Sequence, residues 1–115
     1  MDMQELITFT KQMHNFFIEK EKSNIDWERQ SLLRSMKLTE EVGELNEQIL
    51  GHYGYGRKEK IDKCDTTNLE HEIADVIICT CILAESLGVD VQKALKNKIK
   101  KIKARIDNKK NDRAA

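Results

Sequence analysis

None of the 115 residues is proline, and only five are glycine. Helical runs are therefore interrupted only where glycine or a polar cap intervenes, which suits an all-α fold. Four runs follow. Leu6, Phe9, Met13 and Phe16 recur in steps of three and four, predicting an amphipathic helix that ends near Lys22. Asp26 is a candidate N-cap for a second helix from Trp27, which Gly51 would terminate. Residues 51–67, "GHYGYGRKEKIDKCDTT", hold no sustained period and predict a long connection, either a plain loop or a lid carrying Tyr53, Tyr55 and Arg57. The spacing of Thr67 and Glu70 matches a capping box and opens a third helix that runs through Leu87 and stops at Gly88. Asp90 caps a fourth, with Val91, Leu95, Ile99, Ile102 and Ile106 along one side. The expectation is a four-helix bundle-type protomer, one domain over residues 1–108, with residues 109–115 frayed. The very short turn at Gly88 predicts that the last two helices are antiparallel neighbours. Apolar residues in surplus on the first two helices predict completion by homo-oligomerisation.

Acids and bases cancel over the whole chain, so net charge selects no partner. Locally they separate. Residues 38–75 carry ten acids against four bases, whereas residues 93–113 carry ten bases against two acids. Such halves can bind metal and phosphate together, or attract one another. The lysines of "KALKNKIKKIKAR" alternate with isoleucines and lack an aromatic platform, which disfavours nucleic acid. Three cysteines, Cys64, Cys79 and Cys81, form no disulfide framework and fit a reduced, cytoplasmic setting. The apolar stretch "IADVIICTCILA" is too short and too acidic to span a bilayer, and the N-terminal residues lack the pattern of a signal peptide. His14, His52 and His71 read as surface residues.

Two acid pairs stand out. In the second helix, Leu38, Val42, Leu45 and Ile49 cluster within ~40° on a wheel of ~100° per residue. Glu40 and Glu47 then face away from that stripe, while Glu41 (about 60° off) and Glu44 (about 120° off) share one flank. Gly43 beside them costs roughly 1 kcal/mol relative to alanine in a helix interior, which suggests a close approach by a backbone or a ligand, or a packing need. In the third helix, Glu72 and Asp75 lie three apart within a run that is apolar nearly all round. A carboxylate forced inside such a helix must be protonated, paired or bound to a cation. If the helices pack together, four carboxylates converge, and an all-oxygen set of that density suits a hard divalent cation such as Mg²⁺ or Mn²⁺.

"EEVGE" at residues 40–44, followed after a gap by "EIAD" at residues 72–75, resembles the EExxE…ExxD pattern of the MazG-like nucleoside triphosphate pyrophosphohydrolases. The likeness extends from about Trp27 to Arg105 and includes "LTEEVGEL", "HEIADVI" and "LGVDVQKAL". It implies a Mg²⁺-dependent all-α enzyme that splits a nucleoside triphosphate between the α and β phosphates, with Mn²⁺ as substitute and a homodimer or homotetramer as the assembly. On that resemblance Glu41, Glu44, Glu72 and Asp75 match the metal-binding acids, with Glu40 secondary. Glu41 or Glu44 would activate water, Lys98 and Arg105 would face the phosphates, and Trp27 would lie near the base. Ile102 departs from the asparagine of many relatives, and Cys79 from the aromatic of dCTP-acting ones. The alternatives are a phosphoribosyl-ATP pyrophosphohydrolase-like enzyme, and a helical module that binds a partner or nucleotide without catalysis.

Overall fold

The computed structural model describes residues 1–21 and 24–114, the side chain of Ala114 excepted. It consists of helices α1 (Met3–Glu19), α2 (Trp27–His52), α3 (Lys58–Asp62), α4 (Thr66–Ser86) and α5 (Val91–Ala114), with no strand among the described residues. The all-α class is as expected. The expected end of α1 near Lys22 lies outside the described residues; the helix itself stops at Glu19.

Local signals set most boundaries. Asp26 caps α2 by accepting from the Arg29 N–H at 3.1 Å, and Asp90 accepts from the Lys93 N–H at 3.0 Å at the start of α5. Gly88 (φ +68°) ends α4 in a Schellman turn: its N–H donates to the Glu85 carbonyl, and that of Val89 to Ala84. Four expectations are corrected. The cap of α4 is Asp65, which accepts from the Asn68 N–H at 2.7 Å, so the Thr67–Glu70 box is not the start signal. Gly51 does not cap α2; the cap is Tyr53. Gly51 is instead buried where a Cβ would overlap Cys64 Sγ, so it serves close packing. The 51–67 connection contains α3, tied to α2 by a Lys60–Glu47 ion pair at 2.6 Å. Residues 109–114, expected to fray, continue α5.

Packing is uneven. α4 lies along α2 and against α1, and α3 folds onto α2. α5 makes no substantial contact with any of them, which corrects the expectation that it packs antiparallel on α4. The radius of gyration is 18.5 Å, against about 13 Å for a compact domain of this length. Among the described residues the buried apolar side chains are Cys81, Ile82 and Ala84, all on α4. Leu32, Leu33 and Met36 on α2, and Leu95, Ile99, Ile102 and Ile106 on α5, are exposed. No described helix is long and apolar enough to cross a membrane.

Candidate acid cluster between α2 and α4

The seam between α2 and α4 is polar. Its α2 side includes Gln30, Ser31, Arg34, Glu41 and Gln48, none of them exposed, whereas Val42 and Ile49 of the presumed apolar stripe are exposed. Leu38 and Leu45 of the same stripe stay half-buried, so the buried arc of α2 is the expected one rotated toward its Glu41 flank, with Val42 and Ile49 left at the exposed edge. At one end of the seam the Ser31 hydroxyl lies 3.3 Å from that of Ser86. Toward the other end, carboxylate oxygens of Glu41, Glu72 and Asp75 all lie within 4.8 Å of one another.

The three acids differ in surroundings. Glu41 is 6% exposed, Glu72 is half-buried and Asp75 is exposed. The exposure of Asp75 corrects the expectation that α4 is enclosed on all sides. With α5 turned away, Ile73 and Ile77 stay open at 46% and 50%, and Asp75 reaches the surface beside them. One oxygen of Glu41 pairs with the Lys37 ammonium at 3.2 Å. Glu41 Oε2 and Glu72 Oε2 are buried and have no hydrogen-bond partner among the described residues. Gln48 Oε1, one turn beyond Glu44, is also buried without a partner among them.

The electrostatics match this geometry. Burial, joined by the charges of Glu44, Glu41 and Asp75, pushes the Glu72 carboxyl above the usual carboxylate range. The charge of Glu41, with burial and then Glu40, raises Glu44. A hydrogen bond to Glu41 raises Lys37. Burial pushes the Cys79 thiol up, and it lies within the fields of Glu41, Asp75, Lys37 and Arg34. Carboxylates crowded this way repel unless protonated, and buried unpartnered acceptor oxygens need a hydrogen-bond donor or a cation. A divalent cation meets both needs, and an all-carboxylate donor set fits a hard ion.

Of the predicted site residues, the fold brings together Glu41, Glu72 and Asp75, with Glu44 close enough to raise Glu72. Glu40 is exposed and pairs with Lys37 at 3.5 Å, on the outer side as expected. A Cβ added at Gly43 would meet nothing within 4 Å, so no backbone approach within this chain explains that glycine. Lys98 and Arg105 are exposed on α5 and are not brought to the acids within one chain. Trp27 stacks on His14 with ring centroids 5.6 Å apart. It sits fourteen residues before Glu41, about 21 Å along the helix. His14, expected at the surface, is half-buried by this stacking. Sequence reasoning passed over Arg34, Lys37 and Gln48, although steps of seven and four before Glu41 and seven after it place them along the same side of α2.

A search of curated proteins finds the chain 38% identical over 58 residues to the uncharacterized protein YpjD of Bacillus subtilis (strain 168). The match covers 50% of this chain and 50% of that relative, so the chain spans about half the relative's length in the alignment. No solved structure matches significantly. The MazG-like family pattern matches residues 17–114, both acid motifs and the seam between them included. On that match the chain belongs to the MazG-like family, a membership that suggests a pyrophosphatase-type hydrolase.

Proposed function

We propose that the protein hydrolyses nucleoside triphosphates between the α and β phosphates, releasing a nucleoside monophosphate and pyrophosphate, in a reaction that depends on Mg²⁺ or, as substitute, Mn²⁺. The observation that carries this reading is the pair of buried, unpartnered oxygens, Glu41 Oε2 and Glu72 Oε2, in a cluster with Asp75. Glu41, Glu72 and Asp75 would hold the cation, with Glu44 at the edge. When bound, the cation supplies positive charge to the phosphates and makes water easier to deprotonate. Glu44 takes the role of general base, because it lies at the edge of the cluster and no cation is paired with it among the described residues. Glu41 is held in place by Lys37 and serves as ligand rather than base.

Lys98 and Arg105 would meet the phosphates once α5 docks, and we assign that docking to a second copy of the chain. The exposed apolar surfaces of α1, α2 and α5 support a homodimer, or a tetramer of two dimers. Trp27 would reach a nucleotide base across such an assembly. The reading places the enzyme in the cytoplasm, clearing unwanted or excess triphosphates.

The test is turnover of a panel of ribo- and deoxyribonucleoside triphosphates, canonical and damaged, plus phosphoribosyl-ATP, with and without Mg²⁺. Pyrophosphate is the expected product. Orthophosphate as the primary product contradicts α–β cleavage. Turnover of phosphoribosyl-ATP alone assigns the histidine-synthesis type of activity. Nucleotide binding without any product leaves a silent binding module.

A further inference from the structure

Among the described residues, Arg34 is a guanidinium with no acidic partner beside a surplus of acids. Its Cζ lies 3.6 Å from the centre of the Phe17 ring, so it rests on an aromatic face of α1. It is half-buried, and burial lowers its proton affinity somewhat. It forms no ion pair and donates no hydrogen bond among these residues, although Glu41 stands two turns further along the same side of α2, about 10 Å along the axis. Lys37, between them, is already engaged by Glu40 and Glu41. Cys79 of α4 faces this interval and feels the charges of Arg34, Lys37, Glu41 and Asp75 together. Arg34, Lys37 and the acids thus border one stretch of seam.

A planar cation fixed by an aromatic ring, with its donors unspent, is suited to a phosphate oxygen pair. Solvent exposure of a long flexible side chain would not require the ring, and a purely structural brace would leave the five N–H donors unused. We propose that Arg34 is a substrate-binding residue supplied by the same chain as the acid cluster, contacting the phosphate groups displaced toward α1, with Phe17 as the group that positions it. The inference rests on the nucleotide reading of the site. It differs from that reading in placing an anion contact on α2 itself, independent of α5 and of any second copy.

The experiment measures binding of magnesium pyrophosphate, a probe that needs no knowledge of the base, to the full-length chain by calorimetry. Mg²⁺ binding alone and KM for a hydrolysed triphosphate are measured alongside. Arg34→Met is expected to weaken pyrophosphate binding and raise KM by about tenfold or more, the scale of a lost charge-assisted contact. Mg²⁺ affinity should stay within about twofold. Arg34→Lys should recover only part of the loss, since it keeps the charge without the fork. Phe17→Leu should weaken pyrophosphate binding about threefold at full charge. Unchanged pyrophosphate binding and KM in Arg34→Met, with the wild type binding normally, overturn the assignment and leave Arg34 as a brace between α1 and α2. Loss of Mg²⁺ affinity in step with pyrophosphate affinity also overturns it, since the residue would then act through the cluster. Absence of pyrophosphate binding and hydrolysis in the wild type removes the nucleotide reading, and this inference with it.

Discussion

The seam between α2 and α4 and the long helix α5 are built from similar material, apolar residues at helical spacing among many charges, yet they end in opposite situations. The seam helices bury Gln30, Glu41 and Ser86 as well as Cys81, Ile82 and Ala84, and leave Val42, Ile49, Ile73 and Ile77 outside. α5 buries almost nothing and keeps both its isoleucine stripe and its lysines in the open. Most of a helix's stability in a protein comes from packing an apolar face, and α5 packs almost none of its own. A packed seam that encloses unpartnered carboxylate oxygens bears a desolvation cost of several kcal/mol per ion unless a counter-charge arrives. The first region has contacts and lacks charge neutrality; the second has charge and lacks contacts. Each is short of what the other carries, which is the physical ground of the proposal that they meet in an assembly.

The comparison breaks most sharply at the acids. Glu72→Gln and Asp75→Asn should each reduce Mg²⁺-dependent hydrolysis by more than about 100-fold, the scale of losing an electrostatic contact to a reacting centre. Steady-state pyrophosphate release reads this, and retained activity would sink the assignment of the cluster. Next come the bases of α5. Lys98→Met and Arg105→Met should each cost about tenfold in kcat/KM while Mg²⁺ affinity, measured without nucleotide, stays unchanged. A result equal to wild type would make α5 a solvated helix and leave the chemistry to the seam alone.

Two glycines on α2 give effects of opposite sign on stability. Gly51→Ala drives a Cβ into the Cys64 thiol and should destabilise by about 1–3 kcal/mol. Gly43→Ala meets nothing within 4 Å and should stabilise by up to about 1 kcal/mol. Chemical denaturation measures both. A drop in activity in Gly43→Ala, despite the gain in stability, would show that a ligand or second copy approaches there.

The smallest effect is on pH dependence. Glu72 and Glu44 bind protons more tightly in the fold than their ordinary value of 4.5. Their stabilising contribution is therefore complete below that value and is lost as pH rises through the raised folded values. Melting temperature without divalent cations should fall modestly from the ordinary carboxylate range upward, and Mg²⁺ should restore it at neutral pH. A melting temperature that rises over that window, or that ignores Mg²⁺, contradicts the crowding of these acids.

Much of this was legible along the chain. The absence of proline, the caps at Asp26 and Asp90, and the stop at Gly88 are local events, and local chemistry determined them. So was the division of the glutamates of α2, because Glu40 and Glu47 differ from Glu41 and Glu44 by rotation about a single helix axis. The cap at Asp65 was missed because Thr67 and Glu70 offered a competing local pattern, and α3 because five residues are too few to show a period.

What the sequence by itself determined, then, is a set of capped helices and two acid pairs of matching spacing. Only the tertiary structure decided which flank of α2 faces α4, that Glu41 is buried while Asp75 stays open, that Arg34 lies on Phe17 without an acid among the described residues, and that α5 stands apart. Hydrophobic periodicity ranks faces of one helix by composition; it carries no information on how the packing rows of two helices interlock. That interlocking turned Glu41 inward and left Val42 and Ile49, one edge of the apolar stripe, outside, and so made the acid cluster.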